Sequence, residues 1–220
     1  MAKDKRARKL ARNYMVRPFH PDDLKIPPIE SGMSVGLFGG SFNPPHDGHV
    51  HVVETALKRL QLDRVWWMVS PGNPLKNNDA LPPLSERIVA SRALVKHPRV
   101  EVSGLEASLS VIYTADLVRE LVTRFPTVRF VLLIGADNLT NFHLWERWEE
   151  IADNVPIAVI DRPGDTLASR ASKFAHKLQY ARLDERGAPL LKNLRAPAWT
   201  FIHAPRSSLS STHLRKMRSH

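Results

Sequence analysis

The chain has 220 residues, 43% hydrophobic and 25% charged, an ordinary globular balance sufficient for one sizeable core. It has no cysteine, which excludes a disulfide framework, a thiolate metal site and a cysteine nucleophile. Lysine and arginine outnumber acidic residues 32 to 22, and the net charge of +10 attracts phosphorylated partners of any kind, RNA included.

Residues 1–25 hold eight Lys and Arg against three Asp, half of the net excess. Such blocks are usually solvated tails. Pro18, Pro21, Pro27 and Pro28 mark residues 17–31 as an extended linker, so 1–31 reads as a basic, poorly ordered arm and 32–220 as a single domain. The arm has no apolar core of signal-peptide length, and no run approaches the ~18 apolar residues of a membrane span. A cytoplasmic protein without membrane contact is expected.

Residues 33–38 read as the first strand. It breaks into Gly39-Gly40-Ser41-Phe42-Asn43-Pro44-Pro45, where the glycines let the backbone approach a ligand or take positive φ and the prolines stiffen the turn. Beyond Asp47, apolar residues at Val53, Ala56, Leu57 and Leu60 follow the spacing of an amphipathic helix. His46, Gly48, His49 and His51 therefore stand at a strand-to-helix junction. The start of a helix, with free N–H groups and a partial positive charge, readily binds phosphate.

Residues 64–70 form a second buried strand closed by Pro71-Gly72-Asn73-Pro74, and 84–97 a helix with Ser85 as its cap. A short third strand at 100–103 precedes a helix over 113–124 that stops ahead of Pro126. The most strand-like run, 128–134, breaks into Gly135-Ala136-Asp137-Asn138. A fifth strand at 155–160 leads to Arg162-Pro163-Gly164 and a helical stretch to about Lys177; 179–195 is polar without a clear element. A sixth strand at 199–203 and a terminal helix at 210–218 complete the chain. Apolar strands alternating with amphipathic helices predict an α/β fold, a Rossmann-like, mostly parallel sheet with helices on both faces. Ligands bind at the carboxyl ends of such strands, so the loops 39–49, 71–76, 135–138 and 204–212 are expected to converge on one crevice.

His46-x-x-His49 by itself leaves three readings open: a capped helix start, a phosphate site, or a metal pair completed by His51 or a carboxylate. No HExxH pattern supports a metal, and neither GxxxxGK[ST] nor GxGxxG occurs around residues 36–48, which removes an ordinary ATPase and a dehydrogenase. Far away in sequence, Leu209-Ser210-Ser211-Thr212-His213-Leu214-Arg215 sets hydroxyls on a first helical turn with a cation one turn on. That arrangement suits phosphate as well as a plain N-cap.

Taken together, Gly39-Gly40-Ser41-Phe42-Asn43-Pro44-x-His46-x-Gly48-His49 and Ser210-Ser211-Thr212-x-x-Arg215 resemble the two signatures of the HIGH-type nucleotidyltransferase superfamily. Tyr113-Thr114-Ala115-Asp116, Ile134-Gly135-Ala136-Asp137 and Phe142-His143-Leu144-Trp145 match, in order, the pattern of the bacterial nicotinate-nucleotide adenylyltransferase family. The resemblance covers residues 33–215 and leaves the arm outside it. It implies transfer of AMP from ATP, accompanied by Mg2+, to the phosphate of nicotinate mononucleotide by direct attack, without a covalent enzyme intermediate. It also implies His46, His49 and Arg215 as catalytic groups around the reacting phosphates. Gly39, Gly40, Ser41, Phe42, Asp137, Ser210, Ser211 and Thr212 would join them in holding ATP, and Lys76, Thr114 and Trp145 would receive the mononucleotide. No protein ligand for a metal is implied. Asp116 and Trp148 read as structural, and His51 as a helix-surface residue. The alternatives are nicotinamide mononucleotide or phosphopantetheine as acceptor and, from another class, an RNA-binding α/β module; a nucleic-acid partner is not expected.

Overall fold

Seven parallel strands form one sheet in the computed structural model of the chain, which describes residues 21–72, 78–161 and 172–203. In chain order the strands are β1 (Ser34–Gly40), β2 (Arg64–Val69), β3 (Val100–Ser103), β4 (Arg129–Gly135), β5 (Ile157–Ile160), β6 (Arg182–Leu183) and β7 (Trp199–Ile202). They lie in the order β3-β2-β1-β4-β5-β7-β6. The order reverses between β1 and β4, and a crevice opens at such a point, beyond the carboxyl ends of the strands.

The central strands are apolar at nearly every position because side chains of period two fill both faces. Val35, Leu37, Trp66, Met68, Leu132 and Ile134 join one core cluster; Phe38, Val65, Trp67, Val69, Val131 and Leu133 join the other. The first face is covered by α3 (Leu105–Ser108), α4 (Thr114–Arg124), α5 (Ala136–Leu139), α6 (Trp148–Asn154) and α7 (Lys173–Lys177). The second is covered by α1 (Asp47–Arg59), α2 (Leu84–Leu94) and a 3-10 segment, Glu185–Asn193. Gly36 is needed here for packing, since a Cβ would meet Leu133 Cδ1 at 2.8 Å and Leu62 Cδ1 at 2.9 Å. Among the described residues no helix is long and apolar enough to cross a membrane.

The chain joins the fold ahead of the expected boundary at Gly32. Asp23 is buried, ion-pairs with Arg92 and accepts the Gly104 amide on its carbonyl at 2.7 Å. Ser103 Oγ donates to the Lys25 carbonyl at 3.0 Å, while Ile26 and Ile29 pack on the first core face. The prolines of this stretch thus shape a packed strap along β3. Residues 1–20 and the terminal helix expected at 210–218 lie outside the described residues.

Local departures have simple causes. Ser85 does not cap α2: Pro83 takes the boundary with extended ψ, and no side chain bonds the free amides. That helix ends at Leu94, short of His97. Within 179–195 lies the two-residue β6, too short for a period-two signal, which pairs with β7. At the start of the sheet, the Ser34 amide and hydroxyl both donate to Asp63 Oδ2 at 2.7 Å and hold that carboxyl below the usual range.

Candidate active site

At its carboxyl end β1 runs into Gly39, whose backbone is exposed, and then Gly40 and Ser41. Neither glycine has positive φ; the left-handed residue of this loop is Phe42, at φ 43°. That conformation costs a non-glycine residue roughly 1–2 kcal/mol. What holds it is the phenyl ring, 3% exposed, which packs at 4.5 Å on Trp67, 5.4 Å on Phe38 and 5.0 Å edge-on to His49. A Cβ on Gly40 would lie 3.1 Å from that ring, so Gly40 makes room for Phe42. The ring therefore anchors the loop from beneath, and only the backbone of Phe42 is left for a ligand.

The loop delivers His46 as the N-cap of α1. Its Nδ1 accepts the Gly48 amide at 3.1 Å, and its own amide donates to Nδ1 of His49 at 3.2 Å, a reciprocal capping box. The rings stack 3.8 Å apart and are 4% and 7% exposed. A ring nitrogen that accepts an amide proton carries none of its own, so each neutral imidazole keeps its proton on Nε2. Capping thus occupies Nδ1 of each ring and leaves the Nε2 proton outside the capping box. A metal pair is disfavoured, because a protonated Nε2 has no lone pair to give and Nδ1 is engaged. Among the described residues no group of three or more His, Cys, Asp or Glu is placed to hold a metal ion. His51, on the next turn of α1, is half-buried and outside this pair.

Two ionisable residues that the sequence did not single out lie beside this loop. Arg87 is 3% exposed and donates to four carbonyls: Ser41 and Ser70 at 2.7 Å, Pro82 at 3.0 Å and Pro71 at 3.1 Å. It ties the loop after β1 to the loop after β2. Its signal lay in the stripe Leu84, Arg87, Ile88, Ser91, where a charge occupies the buried i, i+3, i+4, i+7 face of α2. Glu106 is half-buried on α3, its Oε1 3.5 Å from where a Cβ on Gly39 would stand. Burial pushes its carboxyl up to about 8, against the opposing pull of Arg87.

On the first core face, Thr114 opens α4 and is half-buried. Trp145 is also half-buried, one side packed 5.0 Å from Phe142, which is itself edge-on to Phe174 at 5.2 Å. Trp148 packs on the same aromatic group. Asp137 is exposed at the end of β4, across the strand reversal from Gly39. Near the other edge, burial alone would raise Glu185, but hydrogen bonds from His203 and Arg59 outweigh it and keep the carboxyl low. Those bonds hold His203, the residue just past β7. Lys76, Ser210, Ser211, Thr212 and Arg215 lie outside the described residues.

Comparison with known proteins gives a consistent result. The family model described as cytidylyltransferase-like matches residues 37–217. A probable nicotinate-nucleotide adenylyltransferase of Mesorhizobium japonicum is 56% identical over 192 residues, covering 87% of this chain and 98% of that protein. Another, from Brucella abortus, is 57% identical over 186 residues, covering 84% of this chain and 96% of its own length. Among solved structures, a nicotinic acid mononucleotide adenylyltransferase of Plasmodium falciparum complexed with NaAD shares the fold, with a TM-score of 0.63 at 18% identity over 84% of this chain and 83% of that one.

Proposed function

The chain belongs to the cytidylyltransferase-like family and, within it, to the nicotinate-nucleotide adenylyltransferases, and from that premise we propose how its residues divide the work of the reaction. The enzyme transfers AMP from ATP to the phosphate of nicotinate mononucleotide, giving nicotinate adenine dinucleotide and pyrophosphate. The observation that carries this is identity above one half along nearly the whole length of the relatives. The substrate phosphate is itself the nucleophile, so the protein must bring two anionic groups into line and stabilise charge at the α-phosphate as it is attacked.

His46 and His49 fit that task as paired Nε2–H donors. They are pre-set by the capping box and lie at the start of α1, whose amides and partial positive charge favour phosphate. Both rings are desolvated, which strengthens the hydrogen bonds they offer. Gly39, Gly40 and Ser41 lie against the nucleotide through their backbone, and Phe42 supports them from below. Asp137 bonds a ribose hydroxyl in this reading. Thr114 and the side of Trp145 away from Phe142 receive the nicotinate ring, a flat heterocycle suited to an aromatic shelf. Lys76 for the mononucleotide phosphate, and Ser210, Ser211, Thr212 and Arg215 for the ATP phosphates, are assigned on motif resemblance. Magnesium enters with ATP as part of the substrate and neutralises phosphate charge; no residue of the chain is assigned to it. A cytoplasmic location is proposed as well, where ATP and a phosphorylated pyridine nucleotide meet.

Pyrophosphate release tests the assignment. With ATP and either nicotinate mononucleotide, nicotinamide mononucleotide or phosphopantetheine, the first should give the highest kcat/KM. Equal or better turnover of either other acceptor would overturn it.

A further inference from the structure

A closed ring of four charged side chains joins α4 to the start of α6. Arg119 Nη2 donates to Asp116 Oδ1 at 2.5 Å and its Nη1 to Glu150 Oε1 at 2.9 Å. Arg147 Nη2 donates to Asp116 Oδ2 at 2.6 Å, and its Nη1 lies 3.6 Å from Glu150 Oε2. Each carboxylate spreads its two oxygens over both guanidiniums, and the ring has no net charge. Isolated surface ion pairs contribute little, but a shared, forked network fixes geometry.

Arg147 also has an unusual backbone. It precedes α6 in the left-handed conformation, at φ 52° and ψ 41°, which costs a non-glycine residue roughly 1–2 kcal/mol. A strained residue of this kind persists where its surroundings hold it; here the Arg147 carbonyl accepts the Ile151 amide at 3.2 Å, and its guanidinium is shared by Asp116 and Glu150. The placement links two further residues. Asp116 lies two positions beyond Thr114 on the first turn of α4, and Arg147 two positions beyond Trp145. Trp145 has its amide on the Phe142 carbonyl at 3.0 Å and its ring on Phe142, contacts that orient it within its own segment. The ring of charges ties that segment to the helix that bears Thr114.

We propose that the ring formed by Asp116, Arg147, Glu150 and Arg119 is a positioning device for the acceptor subsite, setting the separation of Thr114 and Trp145 and with it the affinity for the nicotinate ring. The inference rests on the assignment of those two residues to the mononucleotide. The four side chains are positioning residues that need not touch substrate. Loosening the ring should affect one substrate and spare the other, because Gly39, His46 and His49 are carried by β1 and α1, on elements that the ring does not join.

The test uses the full-length enzyme and the variants Arg147→Gln, Asp116→Asn, their double and Trp145→Ala, with KM measured for each substrate separately and Tm in parallel. Each single ring variant should raise KM for nicotinate mononucleotide about fivefold, as expected for loss of one coupled network contact. KM for ATP should stay within about twofold. The double should be no worse than the singles, since either change opens the ring. Because both replaced side chains are partly exposed, two independent variants guard against one that fails to fold. A network that merely stabilises would lower Tm and leave both KM values alone, which would overturn the proposal. If Trp145→Ala raises KM for the mononucleotide while both ring variants leave it unchanged, the ring fails and the subsite assignment stands. If Trp145→Ala leaves that KM unchanged, the subsite assignment falls and the proposal with it.

Discussion

Replacing His46 with asparagine separates the two roles assigned to this residue. Its Nδ1 caps α1 by accepting the Gly48 amide at 3.1 Å, while its Nε2–H is the donor proposed for phosphate. Asparagine is among the best N-cap residues, so its Oδ1 can replace the acceptor, and most of the ~1 kcal/mol a cap contributes should be kept. What disappears is the ring stacked 3.8 Å from His49, with the Nε2–H it carries. Stability should fall by less than about 1 kcal/mol, a drop in Tm of a few degrees for a domain of this size. Turnover should fall far more, by about 10²–10³ in kcat, the loss typical of removing one preorganised donor to a charged transition state. Urea unfolding and steady-state pyrophosphate release on the same preparation give both numbers. A folded variant that keeps more than about a third of wild-type kcat would refute the donor role. A variant that loses activity only in proportion to lost fold would refute the separation of roles.

Three other outcomes follow from single contacts. Glu106→Gln removes a carboxyl whose native value, about 8, lies above the 4.5 of an ordinary glutamate. The unfolded chain releases this proton first, so wild-type stability falls as pH rises between those values, by up to about 1.4 kcal/mol per pH unit. Relative to the Gln variant, wild type should lose about 2 kcal/mol between about pH 5 and pH 7, read by urea unfolding; parallel pH profiles would contradict it. Ser34→Ala removes hydroxyl bonds to Asp63 and should cost about 1 kcal/mol near neutrality, modest because solvent screens that carboxylate. Asp63 titrates below its ordinary 3.8, so the cost should shrink as pH falls through that region, and a pH-independent cost would argue against the assigned cause. Arg87→Lys keeps the charge but cannot span four carbonyls. KM for both substrates should rise, in contrast to the one-substrate effect expected at the charge ring, and unchanged kinetics would deny Arg87 a role in loop placement.

How much could be read from the sequence depended on whether a feature repeats along the chain. Strands buried on both faces announce themselves as apolar runs, and α1 by its stripe at Val53, Ala56, Leu57 and Leu60, so the sheet and the strand-to-helix junction were legible. Single contacts across the fold were not. Arg87 reaches Ser41, 46 residues away, and only its odd place in an apolar stripe hinted at it. The positive φ that Gly39 or Gly40 could have taken, one of two readings of those glycines, falls instead on Phe42, where aromatic packing on Trp67 outweighs local backbone preference. The two-residue β6 and the 3-10 segment after it, with Pro189 inside, have too few repeats to show a period. The capping box at His46 and His49 was readable only as three open alternatives, since the assignment depends on which ring nitrogen faces the amides.

Nitrogen-15 NMR of the histidine side chains reads out which ring nitrogen carries the proton. The spectra would be recorded near neutral pH on the free enzyme and after addition of MgATP, with His46→Asn used for assignment. Both rings should be neutral with the proton on Nε2, and both Nε2 resonances should move when nucleotide phosphate binds. A proton on Nδ1 of either ring, or Nε2 signals indifferent to MgATP, would contradict the claim that the cap of α1 and the phosphate donors are the same two histidines.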